Sequence, residues 1–530
     1  MKHILTAIWW GCLLIIATLA PLTAQSVLYP EKPSGAGTQS SPLEVTTPAH
    51  LAWIAEMVNG GESLSGVWLA QKCDIDLSIT KELNDGEGWT PIGGYVFLGG
   101  REIKVGFEGY YDGEGHTISN LYMNRPQHDY QALFGYVHKG RVANLTIHKA
   151  TVTGSENVAA AFAYTFEETI SNCHVTESVV DCKAFYAGGL IGFQSDGVTE
   201  HSSAQVTIYG RDYIGGLVGW SELGRIRGCR TSGSLLSVVF NGVQPRHCGG
   251  LVGYCNKSQI DRSLCSSDLI EGGDWTGGLV GSAEQSKIRE SVNLAKRITG
   301  RSYVGGIAGR TNESELSDCY SISSLQGEQY VGGVSGFATY SSTLIERLYS
   351  ICEVSAIEGS SAFAIGSVLG AYGTGTVRDV LYDQTKQPDL PAIGGANQEG
   401  CKVTGKNPDE MKQQESYAGW DFSEIWTIVP AQHDGLPLLR WQMDPAWNAV
   451  DNPSELLAAS PVQLITEGDA CYLSVPAPLT LEAVYGIDGT ALTMISSEVN
   501  SCRVALPAQA RILIIVYSDG AQYHTAKCLL

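Results

Sequence analysis

Between residues 130 and 385 apolar side chains return at an interval far longer than the period of a helix or a strand. The recurring unit is aromatic-x-Gly-Gly-aliphatic-x-Gly. It reads Tyr186-Ala-Gly-Gly-Leu-Ile-Gly192, Tyr213-Ile-Gly-Gly-Leu-Val-Gly219, His247-Cys-Gly-Gly-Leu-Val-Gly253, Trp275-Thr-Gly-Gly-Leu-Val-Gly281, Tyr303-Val-Gly-Gly-Ile-Ala-Gly309 and Tyr330-Val-Gly-Gly-Val-Ser-Gly336. Looser copies flank these at Leu133-Phe-Gly135, Ala159-Ala-Ala-Phe-Ala163 and Ala362-Phe-Ala-Ile-Gly366. From one final small residue to the next, the steps are 28, 29, 27, 34, 28, 28, 27 and 30 residues. Ten residues after each of the first seven lies a second column: Leu145, Cys173, Ser202, Cys229, Ser263, Ser291 and Cys319. Its later copies, Leu348 and Val380, drift out of that spacing.

Self-similarity at a fixed period means that each unit cannot bury its apolar face alone and must stack on its neighbours. Gly, Ser, Val, Ile and Tyr dominate the copies and suit strands more than helices. The fold expected is therefore all-β, a right-handed parallel β-helix or β-solenoid of about nine coils, with coils pairing backbone to backbone about 4.8 Å apart. Glycines fit corners where φ is positive or where two backbones nearly touch. The 34-residue step places its extra residues in a loop near Phe240 to Arg246.

A solenoid exposes unpaired strand edges at its ends and must cover them. Residues 48–59 carry Leu51, Ile54, Ala55 and Val58 at helical spacing before Gly60-Gly61, which predicts a capping helix. The segments divide as 25–130, N-terminal cap and first coils; 131–385, the repeats; 386–445, a C-terminal cap with a Trp-rich stretch at 418–441; 446–459, a linker; and 460–530, a small antiparallel β-sandwich domain. The N-terminus reads as a signal peptide over residues 1–24. Lys2 and His3 precede an apolar run from Ile4 to Ala20, and Leu22-Thr23-Ala24 is the cleavage site. A lipoprotein alternative would use Cys12. Either reading implies export.

The Gly-Gly-Leu-Val-Gly copies resemble the GLUG motif of bacterial surface proteins, including adhesin-like proteins of the Bacteroidota. The resemblance extends to Leu51-Ala-Trp-Ile-Ala-Glu-Met-Val-Asn59, Gly88-Trp-Thr-Pro-Ile-Gly93, Phe107 to Leu121, and the closing Gly435-Leu-Pro-Leu-Leu-Arg-Trp441. It covers roughly residues 30–445. Val484-Tyr-Gly-Ile-Asp-Gly489 and Ile514-Ile-Val-Tyr-Ser-Asp-Gly520, with Lys527, resemble the C-terminal sorting domain of the type IX secretion system. Ala510-Arg-Ile-Leu513 and the Cys-Leu-Leu530 tail depart from its usual pattern. The resemblance implies a secreted or outer-membrane cell-surface location and contact with the outer-membrane secretion machinery through residues 460–530.

A net charge of −21 repels phosphate backbones, so nucleic acid is not an expected partner. Removing residues 1–24 leaves 13 of the 14 Cys, a number that cannot pair completely. The Cys/Ser column is best read as small buried side chains. Cys248 and Cys255 could form a local disulfide. A polysaccharide lyase or glycoside hydrolase, the enzyme alternative, would need carboxylates converging over neighbouring coils. Asp112-Gly-Glu-Gly-His116 is the densest cluster and reads as a tight turn; Asp74 and Asp76 read as surface positions. There is no His-Glu-x-x-His and no P-loop lysine, and no metal, cofactor or catalytic residue is assigned.

Tyr186, Tyr213, His247, Trp275, Tyr303 and Tyr330 form a column along one edge of the stack. Exposed, its tyrosines and tryptophan would bind ligand; otherwise each ring rests on the next. The function expected is an exported, non-catalytic, adhesin-like binding protein for a host or environmental glycan or surface protein.

Overall fold

The computed structural model describes residues 27–239, 243–360, 362–395, 397–430 and 432–444, and seven strand segments between 463 and 529. The signal segment 1–24 with Cys12, the linker 446–459, and part of the loop at 240–242 lie outside the described residues. The chain divides into two compact units, one through Pro408 and one from Asp409, and each is described by itself.

The first unit is a parallel β-solenoid. One coil shows the plan. Asp212–Gly215 runs into Val218–Glu222, then Arg225–Arg227, then Arg230–Ser237. Each pairs in parallel with its counterpart one coil on: Ile214 opposes Cys248, Val218 opposes Val252, and Ile226 opposes Ile260. Three sheets result. The largest carries the last two legs of every coil, a nine-stranded sheet carries Phe134–His138 through Leu369–Tyr372, and a seven-stranded sheet carries Phe185–Gly188 through Phe363–Gly366.

The winding is longer than the glycine repeat. One ladder starts at Leu43–Val45, passes through Trp68–Gln71, Tyr110–Asp112 and Arg141–Ala143, and runs on to Thr376–Asp383 and Cys401–Lys406, about 13 turns in place of the nine expected. Coils without the glycine unit still pair, because ladder hydrogen bonds use the backbone alone. The repeat register also needs one correction. Gly366 pairs with Gly332, the first glycine of the preceding unit, and Leu369 pairs with Ser335. Gly370, not Gly366, thus occupies the final glycine position. With only one glycine in Ala362 to Gly366, the sequence pattern matched the wrong slot. The long step behaves as expected: strand pairing resumes at Arg246 after a loop with exposed Val238, Val239 and Val243.

The core is the inward column of each leg. Ile226, Ile260, Ile288, Leu316, Ile345 and Val377 stand in consecutive coils with 0% exposure. Alternate residues face out, so Arg225 and Arg227 flank buried Ile226. Burying an aliphatic side chain contributes about 1.5–3 kcal/mol, a term repeated in every coil.

The helix Pro48–Asn59 forms as its spacing predicts. Thr47 caps it, its Oγ1 accepting from His50 N at 3.2 Å, and Gly60 ends it. Leu51, Ile54, Ala55 and Val58 join the solenoid core. Between residues 130 and 385 no described residue is helical. Among the described residues no helix is long and apolar enough to cross a membrane.

In the second unit Tyr417, Trp420 and Trp426 pack together beside the hairpin Trp426–Ile428 and Pro437–Leu439. Beyond residue 462 lie two antiparallel sheets. One holds Gln463–Glu467, Ala470–Ser474, Ser501–Ala505 and Met494–Glu498; the other holds Thr480–Gly486, Ile512–Ser518 and Tyr523–Leu529. The turns at 487–489 and 519–520 lie outside the described residues.

Candidate functional site: two aromatic columns and two sealed corners

The aromatic residue of each repeat, not its glycines, takes the left-handed backbone. Tyr186, Tyr213, His247, Trp275, Tyr303 and Tyr330 have φ between 55° and 68°. That conformation costs a non-glycine residue about 1–2 kcal/mol. The glycines serve close approach. At Gly215 an added Cβ would lie 1.9 Å from Val218 O, at Gly216 2.1 Å from Gly250 O in the next coil, and at Gly219 2.5 Å from Gly192 O in the previous one. Backbone fills the space a side chain would need on three sides, which explains why the unit needs three glycines.

The rings stack along the solenoid. Centroids are 5.2 Å apart for Tyr186–Tyr213, 4.8 Å for Tyr213–His247, 4.7 Å for His247–Trp275, 5.9 Å for Trp275–Tyr303 and 4.7 Å for Tyr303–Tyr330. Interplanar angles run from 7° to 23°. Such pairs contribute about 0.5–1.5 kcal/mol beyond area burial and offset the backbone cost. The four tyrosines and Trp275 are half-buried, so ring faces meet within the stack while edges reach the surface. Burial, aided by the Arg246 and Arg310 cations, holds the His247 imidazole down to about 3, so it joins the stack as a neutral ring.

A second column runs beside the first. It uses the residue after the final small position of each unit: Tyr136, Tyr164, Phe193, Trp220 and Tyr254, then Ser282, Arg310 and Phe337. Phe193 stacks on Tyr164 at 4.9 Å and on Trp220 at 5.7 Å. The columns touch edge to face, Tyr186 against Phe193 at 5.3 Å and His247 against Tyr254 at 5.1 Å. The sequence reading missed this column, although an aromatic residue after the last small position was a usable signal. The antiparallel hairpin Gly94–Val105 reaches it too. Lys104 Nζ lies 3.5 Å from the Tyr164 ring centre and 4.0 Å from that of Tyr136, and burial pushes the ammonium down to about 8. Cations at ring faces are attracted by the ring quadrupole.

The Cys/Ser column is sealed. Cys173, Ser202, Cys229, Ser263, Ser291 and Cys319 are at most 1% exposed. Each side chain accepts from the backbone of the coil before: Cys173 N donates to Ser202 Oγ at 3.1 Å, Cys229 N to Ser263 Oγ at 3.2 Å, Ser263 N to Ser291 Oγ at 3.2 Å and Ser291 N to Cys319 Sγ at 3.4 Å. Each hydroxyl or thiol then donates to its own strand, as Ser291 Oγ does to Arg289 O at 2.7 Å. Burial pushes the Cys173 and Cys229 thiols up to about 12, so they are not nucleophiles near neutral pH. Cys248 and Cys255 are free and buried, which corrects the disulfide between them.

A further serine ladder, absent from the sequence reading, lines the next corner. Gly224 N donates to Ser258 Oγ, Ser258 N to Ser286 Oγ and Ser286 N to Ser314 Oγ, at 3.1, 3.0 and 3.0 Å. Gly197 lies one coil before Gly224, and Glu168 of the coil before that fills the space above it, where a Cβ would lie 2.0 Å from Glu168 Oε1. Gln194 Nε2 donates to Glu168 Oε1 at 2.9 Å, while Oε2 has no partner. Burial pushes this carboxyl up to about 7.

Asp112-Gly-Glu-Gly-His116 is a turn: Asp112 Oδ1 accepts from Glu114 N and from Asn144 Nδ2, both at 2.9 Å, and Gly115 has φ 81°. Asp76 accepts from Asn120 Nδ2 and from Ser78 N, which hold its carboxyl below the usual range. Among the described residues no group of three or more His, Cys, Asp or Glu is placed to hold a metal ion.

No protein-family profile matches the chain. Halomucin of Haloquadratum walsbyi is 32% identical over 207 residues, 38% of this chain and 2% of halomucin. A protein of Evansella cellulosilytica described as a Gly-rich membrane protein is 31% identical over 144 residues, 27% of this chain and 15% of its own. The chain thus spans a small part of the curated relatives it matches. Among solved structures, a Bacteroides ovatus protein described as a candidate immunoglobulin A1 protease has TM-score 0.33 at 16% identity, covering 77% of this chain and 95% of that one. An IgA1 protease structure has TM-score 0.34 at 12% identity, covering 91% and 34%.

Proposed function

We propose that this chain is an exported, adhesin-like surface protein of the GLUG type that binds a glycan or protein on the flank of its solenoid without chemistry of its own. The observation that carries the reading is the pair of adjoining aromatic columns. They leave Tyr186, Tyr213, Trp275, Tyr303 and Tyr330 half-buried on one flank, beside Tyr164, Phe193, Trp220 and Tyr254. Aromatic side chains offer large contact area for little conformational entropy. Glu168 has the raised pKa expected of a general acid, but it is 2% exposed and sits behind the Gly197 backbone. Residues 460–530 serve as the sorting domain for type IX secretion, leaving the solenoid on the cell surface.

Two measurements test this. Full-length protein applied to a glycan array and to immobilised matrix proteins is expected to retain a discrete set of ligands, and Trp275→Ala with Tyr303→Ala is expected to weaken that binding at least tenfold. Unchanged binding in that variant would remove the aromatic flank from the account. Deleting residues 460–530 is expected to trap the protein inside the cell envelope; normal surface display of the deletion would remove the sorting assignment.

A further inference from the structure

A different flank carries a different chemistry. Where the nine-stranded sheet turns into the large one, a cleft of about 550 Å³ opens across consecutive coils, within the usual size of a ligand site. Gly197 and Gly224 occupy the corner position that Ser258, Ser286 and Ser314 fill in later coils, and both line the cleft.

Its charge opposes that of the protein. Arg225, Lys257 and Lys287 line it against one carboxylate, Asp196, in a chain of net charge −21. All three cations are exposed. Arg225 and Lys257 form no ion pair among the described residues, and Lys287 reaches Glu315 only at 4.0 Å. Unpaired cations sharing one cleft cost mutual repulsion that an anion would relieve. Arg225 and Lys287 stand in register with Gln259 between them, two strand spacings apart, about 10 Å.

The neutral groups narrow the ligand class. Gln259 Nε2 donates to Asp261 at 2.6 Å and Gln285 Nε2 to Glu313 at 2.8 Å. Both carboxamides line the cleft, and each spends one of its two N–H donors on a protein carboxylate, leaving the second N–H to donate and the carbonyl oxygen to accept. The cleft therefore offers cations for anions and carboxamides that can both donate to and accept from hydroxyls. An acidic peptide brings carboxylates without hydroxyls; an acidic polysaccharide brings both, with charges repeating on the scale of one or two sugar rings.

We infer that the cleft over Gly197 and Gly224 binds an anionic polysaccharide, its carboxylate or sulfate groups held by Arg225, Lys257 and Lys287. This rests on the binding reading above and names a ligand for a surface separate from the aromatic columns.

The test is titration of the full chain with oligogalacturonate, a heparin oligosaccharide, neutral dextran and poly-glutamate at low and high salt. Binding to one or both anionic sugars is expected, weakening as salt rises, with no dextran binding and at least tenfold weaker poly-glutamate binding. The two sugar arms separate carboxylate from sulfate recognition. Arg225→Gln, Lys257→Gln and Lys287→Gln together are expected to reduce affinity at least tenfold with an unchanged melting temperature, since all three are exposed. No binding of either anionic sugar, equal binding of poly-glutamate, or unchanged affinity in the triple variant overturns the inference. If the aromatic variant still loses a ligand found on the array, this inference falls alone; if the protein retains no ligand of any kind, both fall.

Discussion

The aromatic corner and the Cys/Ser corner of one coil are both built from a single side chain repeated once per turn, yet they hold together by opposite means. At the aromatic corner, half-buried rings stack on one another, and the column accepts a histidine or a tryptophan among tyrosines. At the sealed corner, small side chains close a chain of hydrogen bonds, each taking one from the coil before. The contrast teaches that a solenoid tolerates chemical variety where contacts are ring on ring and side chains meet solvent. Where the contact is one hydrogen bond in a sealed space, only size and an acceptor matter, so Ser and Cys interchange.

The comparison can be broken hardest at a close backbone contact between neighbouring coils. Gly216→Ala forces a Cβ against Gly250 O and is expected to cost about 3 kcal/mol or more, or to prevent folding; thermal denaturation measures it. Glu168→Gln probes the polar interior. The folded carboxyl titrates near 7 against 4.5 unfolded, so the native state holds the proton more tightly. Its stability contribution is complete below about pH 4.5, declines as pH rises to about 7, and is flat above. The variant is therefore expected to gain up to about 3 kcal/mol at pH 8 and nothing at pH 4, read from denaturant unfolding at both values.

At the sealed corner, Ser263→Val leaves the Cys229 N–H unpaired, an expected loss of about 1–3 kcal/mol, whereas Ser291→Cys, which copies its neighbour Cys319, is expected to lose less than about 1 kcal/mol. The smallest effect belongs to the aromatic corner. Tyr303→Ala is expected to cost about 1 kcal/mol and Tyr303→Trp close to nothing, measured in the same unfolding assay. A larger loss for Tyr303→Trp than for Ser263→Val would reverse the contrast.

Much of the architecture was readable from residue spacing. The period, the helix over 48–59, the inward aliphatics and the loop in the long step all follow from side-chain character at fixed intervals. The misread slot at Gly366 shows the limit: with one glycine in place of two, the motif could not say which glycine it had. First coils were expected before residue 130 without being numbered, and the turn at Cys401–Lys406 went unread because backbone pairing leaves little trace in side chains. Of the site, the first aromatic column was visible as a repeat; the second was overlooked, and the basic cleft could not be assembled from Arg225, Lys257 and Lys287 before their coils were aligned.

The sequence by itself determined that this chain winds into stacked coils, because a buried face recurring every 27 to 30 residues has nowhere to hide but against its own neighbour. Tertiary structure alone decided what each column does. The left-handed aromatic backbone, the acceptor role of each serine and the confinement of Glu168 arise from contacts between residues about one coil apart. No local run of amino acids encodes such contacts, since they exist only once the coils lie in register.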